Sequence, residues 1–456
     1  MSINMLHDDV LLDIFDFYVI GRSDYKKEEA EAWQTLTHVC RQWRIVVLES
    51  LHRLNLRLYC TTKTRTPVDV WPDLPLRIEG GVSYSIELDN IIAVLERSNR
   101  VYHIDLAGHS SYLEIILPAM QKPFPELTYL RLSSEAVTVV VNLFLGGSAP
   151  RLQELNLRGI PFPGLPKLLS SATHLTHLFL FNIPHIGYFS PEAIVTALST
   201  LTSLRQLCLE FESPRSLPHE GNRHPPSLTR SVLPALNRLT FKGVGEYLED
   251  LAALIDAPRL DFLHITMFNQ IYFDTPQSIQ FMSRTPKLTA FKKACLIFMN
   301  NAAAVVLSST PDIIGDEELE VNILCKVSDW QVSSLEQVCN WCLPPLSALE
   351  DLDIYDYSKS PRDWGDNIEN SLWVELLHPF SAVKNLYISA KLALCIGPAL
   401  EELVGSRTME VLPVLQNIFL EGLQPSGHVQ EGIVKFIAAR ELSGRPITVS
   451  MWRRMV

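Results

Sequence analysis

The sequence predicts an α/β architecture: a small N-terminal helical module, then a solenoid of strand–helix units with a parallel sheet on its concave side. Three observations predict it. A short phrase, L-x-x-L-x-L, recurs along most of the chain, stretches of helical periodicity separate its copies, and two segments before residue 50 carry apolar residues at helical spacing.

The phrase appears as Leu127, Leu130 and Leu132, then Leu152, Leu155 and Leu157. It returns as Leu175, Leu178 and Leu180, then Leu204, Leu207 and Leu209. Further copies start at Leu236, Leu260, Leu288, Leu349, Val383 and Leu415, and Leu319, Val321 and Ile323 fill the one double-length gap. Weaker copies begin at Val101 and Leu51. The x-L-x-L-x part alternates, so its leucines share one face of a strand. Segments such as Glu192–Leu201 and Tyr247–Ile255 have helical spacing. One strand–helix unit is too small to bury its own apolar face, so neighbours must stack. The result is a leucine-rich-repeat-like solenoid over 101–456, with 51–100 as connector and cap. The asparagine that normally follows the strand is replaced by Ile160, Ile183, Val244 and Phe268, which predicts irregular loops.

In the N-terminal module, Leu6, Val10, Leu11, Ile14, Phe15 and Phe17 form a helical stripe, and Asp8 and Asp9 suit the positive end of the helix dipole. After the polar stretch 21–31 comes a second apolar segment with Trp33, Leu36, Val39, Cys40 and Trp43. Leu6-x-Asp8-Asp9-Val10-Leu11-x-x-Ile14-Phe15, followed by Leu36-x-x-Val39-Cys40-Arg41-x-Trp43, resembles the F-box, with His7 where that family usually has Pro. Leu54, Leu56 and Leu58, with Trp71-Pro72-x-Leu74-Pro75-Leu76, extend the resemblance toward the large fungal F-box families. The resemblance implies a three-helix bundle, residues 1–50, that binds a Skp-type adaptor and through it a cullin scaffold. The adaptor-binding residues would be Leu6, Val10, Leu11, Ile14, Phe15, Leu36, Val39, Cys40 and Trp43. A module this small has a poor core of its own, so such a stripe gains by packing on a partner, or else on the first repeat. Leu11→Asp or Phe15→Asp is then expected to abolish adaptor binding and leave the solenoid folded.

The x positions of the phrase face the open side. Tyr129, Arg131, Arg158, Phe179, Phe181, Phe262, Tyr355 and Tyr387 are the residues expected to bind a protein substrate, since aromatic and Arg side chains dominate protein-binding hot spots. Loops or the C-terminal tail folding back over them are the alternative. The expected function is substrate recognition in an SCF-type ubiquitin ligase, or else an interaction scaffold working outside ubiquitin transfer.

Composition agrees with a folded protein. Hydrophobic residues make up 47% and charged residues 20%, as in ordinary folded chains. A net charge of −12 opposes non-specific grip on nucleic acid or anionic membranes, and Trp452-Arg453-Arg454 reads as a solvated tail. The charge-free run 294–311 is interrupted by Asn300 and Asn301 and reads as buried core rather than a membrane span. With no signal-like N-terminus and eight scattered cysteines, the expected location is cytoplasmic or nuclear. Chemistry is scarce. Cys339 and Cys342 form a lone C-x-x-C without a second pair, and Cys325 and His378 are not spaced to join them. His7, Asp8 and Asp9 spread over different helix faces, and Gly243-Val-Gly245 lacks the rest of a phosphate loop. No enzyme activity, cofactor or metal is expected.

Overall fold

A computed structural model describes residues 6–20, 33–50, 53–54, 56–61, 73–82, 88–135, 144–214, 230–268, 275–310, 318–358, 364, 368–421 and 430–452. Within it the chain forms two compact units, Met1–Phe189 and Ser190–Val456.

The first unit opens with helices Asp8–Ile20, Trp33–Thr37 and Arg41–Glu49, which pack on one another. A parallel sheet follows in chain order: β1 (Leu58–Thr61), β2 (Leu76–Val82), β3 (Val101–Gly108), β4 (Tyr129–Ser134), β5 (Glu154–Arg158) and β6 (His177–Ile183). The phrase accounts for this regularity. Its leading leucines, Leu127, Leu152 and Leu175, are fully buried, and the strand leucines Leu130, Leu132, Leu155 and Leu178 join them. Each repeat takes its register from the one before: Thr128 N–H donates to Tyr102 O at 2.9 Å, and Thr176 N–H to Gln153 O at 2.8 Å. The threonine hydroxyls repeat the same bonds at 3.0 and 2.9 Å, which explains the Leu-Thr pair at these steps. β5 stops at Gly159, whose φ of 66°, with Ser134 O only 2.6 Å from where a Cβ would sit, leaves no room for a side chain. The links behind the sheet vary as expected, from helix Ser110–Ile116 to the five-residue Leu165–Leu169.

The second unit contains β7 (Gln206–Phe211), the short β8 (Ser231–Val232), β9 (Arg238–Gly243), the short β10 (Ile255–Asp256), β11 (Phe262–Phe268), β12 (Lys293–Met299), β13 (Ala302–Ser308), β14 (Leu319–Leu324), β15 (Asp351–Asp356), β16 (Asn385–Ile388), β17 (Asn417–Glu421) and β18 (Thr448–Trp452). Its main sheet runs β7-β9-β11-β14-β13-β12-β15-β16-β17-β18. The expected helices are present at Pro191–Leu198 and Gly245–Leu254, with longer ones at Ser328–Trp341, Ala390–Glu401 and Glu431–Leu442.

The sheet is parallel except at one place. The charge-free run, read as buried core, is the hairpin β12–β13 turning on Asn300 and Asn301, and β13 is antiparallel to both its neighbours. All of β13 is buried on both faces, which its Ala-Ala-Ala-Val-Val-Leu composition permits. The Leu288 copy of the phrase is a tight turn, and its strand starts only at Lys293. Beyond the hairpin a polar ladder ties the parallel strands. Asn385 Nδ2 donates to Asp351 Oδ1 at 2.7 Å, Asn417 Nδ2 to Asn385 Oδ1 at 2.7 Å, and the Thr448 hydroxyl to Asn417 Oδ1.

Candidate protein-interaction faces

The N-terminal helices sort their apolar residues into two rows. Leu11 and Phe15 are fully buried, and Leu12, Trp33, Leu36, Val46 and Val47 close around them. The Phe15 and Trp43 rings meet edge-on with centroids 4.8 Å apart. Cys40 caps the third helix, its Sγ accepting from Trp43 N–H at 3.5 Å, so this cysteine has a local structural task. Trp33 Nε1–H donates to Arg57 O at 3.1 Å and ties the module to the strand that follows.

The second row points outward. Val10, Ile14 and Phe17, at positions i, i+4 and i+7, lie on one helix face and are 45%, 45% and 82% exposed. Val39, Ile45 and Leu48 are exposed as well. The predicted adaptor set therefore divides. Val10, Ile14 and Val39 are accessible; Leu6, Cys40 and Trp43 are half-buried; Leu11, Phe15 and Leu36 are interior. With Leu11 and Phe15 inside, Leu11→Asp or Phe15→Asp would put a carboxylate into the module's core, so a loss of adaptor binding in either variant would not by itself mark a contact residue. Phe17, Ile45 and Leu48 were missing from the predicted set; the i, i+4, i+7 spacing from Val10 was the available signal for Phe17.

On the open strand face of the first unit, register builds columns. One runs Arg77, His103, Tyr129, Glu154, His177; the next Glu79, Asp105, Arg131, Asn156, Phe179. A third sets Arg158 beside Phe181. His103 stacks on Tyr129 at 4.1 Å with the rings nearly parallel, and Arg131 lies 3.7 Å from Asp105. Phe179 and Phe181 stack at 6.0 Å, and the Arg158 guanidinium covers the Phe181 ring at 4.6 Å. Burial, with Arg77 and Arg57 nearby, pushes the His103 imidazole down to about 3. Burial raises the carboxyls of Asp105 and Glu154, with Arg131 partly offsetting it. Five predicted residues, Tyr129, Arg131, Arg158, Phe179 and Phe181, thus share one half-open surface. Glu79, His103 and Asp105, which complete it, escaped the sequence reading because only the register brings them beside the others.

The open strand face of the second unit differs. Phe262 is half-buried, covered by the Arg238 guanidinium at 4.2 Å. Tyr387 stacks on Phe419 at 4.4 Å. Tyr355 is 4% exposed, which corrects its placement on an accessible surface: Cys295, Val306 and Ile297 of the hairpin pack against it. Beside them Lys293 Nζ and Asp353 Oδ2 form an ion pair at 2.9 Å, with side chains 11% and 2% exposed. Burial pushes the Asp353 carboxyl up, and Lys293 only partly offsets this. Cys339 and Cys342 are buried thiols at the end of helix Ser328–Trp341. No group of three or more metal-ligating side chains occurs among the described residues. Among them, too, no helix is long and apolar enough to cross a membrane.

Strand–helix units with inward leucines define a leucine-rich-repeat-like protein, the class whose open faces serve protein–protein contact. No protein-family model matches the chain, and no curated protein matches it. Among solved structures the chain is similar to a leucine-rich repeat-containing protein, LegL7, from Legionella pneumophila. That likeness has 14% identity, covers 86% of this chain and 99% of the other, and has a TM-score of 0.27. So loose a likeness carries no argument; the class rests on the strands, their register and the buried leucines described above.

Proposed function

We propose that this chain is a non-catalytic substrate-recognition subunit of an SCF-type ubiquitin ligase. The N-terminal helices dock on a Skp-type adaptor, and through it a cullin scaffold, while the open sheet face receives a protein substrate. The observation that carries the reading is the exposed apolar row Val10, Ile14 and Phe17 in a segment with F-box spacing. An 82% exposed Phe on a helix that already has an internal core is a surface made for a partner.

Full-length protein carrying Ile14→Asp and Phe17→Asp, run with a Skp-type adaptor on a sizing column, tests the reading. The expected outcome is lost co-elution with an unchanged thermal unfolding curve. Undiminished co-elution removes the adaptor, and the chain is then an interaction scaffold working outside ubiquitin transfer.

A further inference from the structure

The sheet of the second unit ends on β18, whose outer side has no neighbouring strand among the described residues. The first strand of the other unit, β1, is different: Leu58, Tyr59 and Cys60 are 6%, 4% and 0% exposed. In β18, Thr448, Ser450 and Met451 are exposed. Edge strands are normally blunted by charge, proline or a bulge, and Thr448–Trp452 carries no charge and no proline.

The strand's geometry says which backbone groups are on offer. Thr448 N–H donates to Gln416 O at 2.9 Å, toward β17. Alternate residues of a parallel strand point their amides the same way, so Ser450 and Trp452 also turn inward. The N–H and C=O of Val449 and Met451 therefore point outward. The polar ladder that begins at Asp351 likewise ends on the Thr448 hydroxyl at this edge.

Charge selects the occupant. The protein has a net charge of −12, yet residues 443–456 contain Arg445, Arg453 and Arg454 and no Asp or Glu. Arg445 is exposed immediately before the strand. Glu421 lies on the inner neighbour, in register with Trp452. A second copy paired antiparallel across this edge would set arginine-flanked strand against arginine-flanked strand, which like-charge repulsion opposes. An acidic segment is drawn to it.

We propose that β18 is a strand-addition site for an extended acidic peptide segment of a partner protein, bonded through the outward amides and carbonyls of Val449 and Met451 and steered by Arg445. The site uses none of the residues of the N-terminal helices, and it stands whether or not an adaptor binds.

The probe is a fluorescent ten-residue peptide alternating Val or Thr with Glu, added to the full-length protein, with a second peptide carrying Lys for Glu. The acidic peptide is expected to bind at least about tenfold tighter, as a few screened charge pairs allow. It should slow amide exchange at Val449 and Met451. Met451→Pro, which removes one outward N–H and no inward ladder bond, should abolish binding with the unfolding curve unchanged; Arg445→Glu should narrow or reverse the preference between peptides. Equal binding of the two peptides, or undiminished binding to a folded Met451→Pro protein, overturns the proposal. So does a full-length dimer that Met451→Pro dissociates, since a second copy is then the occupant.

Discussion

The open strand faces of the two units are written in the same leucine phrase and differ in how far water reaches them. In the first unit one strand follows another in parallel, and the face between His103 and Phe181 stays half-open, with charges paired in register. In the second unit the β12–β13 hairpin interrupts the series, β13 is buried throughout, and the adjoining face closes over Tyr355, Lys293 and Asp353. The same x position is thus a recognition residue in one place and a core residue in another. What decides is whether the neighbouring strand continues the repeat.

Four substitutions sharpen the contrast, taken here from the largest expected effect to the smallest. Val305→Asp, in the fully buried β13, should cost more than about 4 kcal/mol, because the new charge has neither water nor a partner. Urea unfolding should show the second unit losing its cooperative transition. Lys293→Met should cost about 3–5 kcal/mol by leaving Asp353 buried and unpaired, and adding Asp353→Leu should recover most of it. If the double variant is as weak as the single one, the pair is not the closed core described here.

The third substitution uses acid. His103 is held down to about 3 from an ordinary 6.5, so between those values the unfolded chain binds the extra proton. Stability supplied by a neutral His103 is therefore complete above pH 6.5 and drains as pH falls toward 3. The limiting slope is about 1.4 kcal/mol per pH unit. In His103→Phe, which keeps a ring against Tyr129, denaturant titrations at pH 7 and 5 should show a visibly smaller loss. Smallest of all is Arg131→Ala. The Arg131 side chain is 46% exposed, so breaking its contact with Asp105 should cost under about 1 kcal/mol. A larger cost would mean that the first unit's face is as closed as the second's.

Much of this was legible in the residues, and the exceptions have physical causes. The phrase located β3, β4, β5, β6, β7, β9, β11, β14, β15, β16 and β17 because alternation of leucines is a local property of a strand. The irregular links followed from the missing asparagines. The edge strand β18 carries no copy of the phrase and was not anticipated. Tyr355 was misplaced because its neighbour on the sheet is β12, which precedes it by a hairpin, a further strand and a helix.

The N-terminal helix separates the two kinds of knowledge most cleanly. Its apolar spacing and acidic first turn, read along the chain, predict a helix with a wide apolar stripe, because periodicity and dipole act within a few residues. Which half of the stripe becomes core is settled only when Trp43, Leu36 and Val47 arrive against Leu11 and Phe15 and leave Val10, Ile14 and Phe17 outside. So it is across the molecule. Sequence by itself determined the repeating unit and the direction its leucines face. Tertiary structure decided which faces stay open to a partner, since burial depends on contacts between residues far apart in the chain.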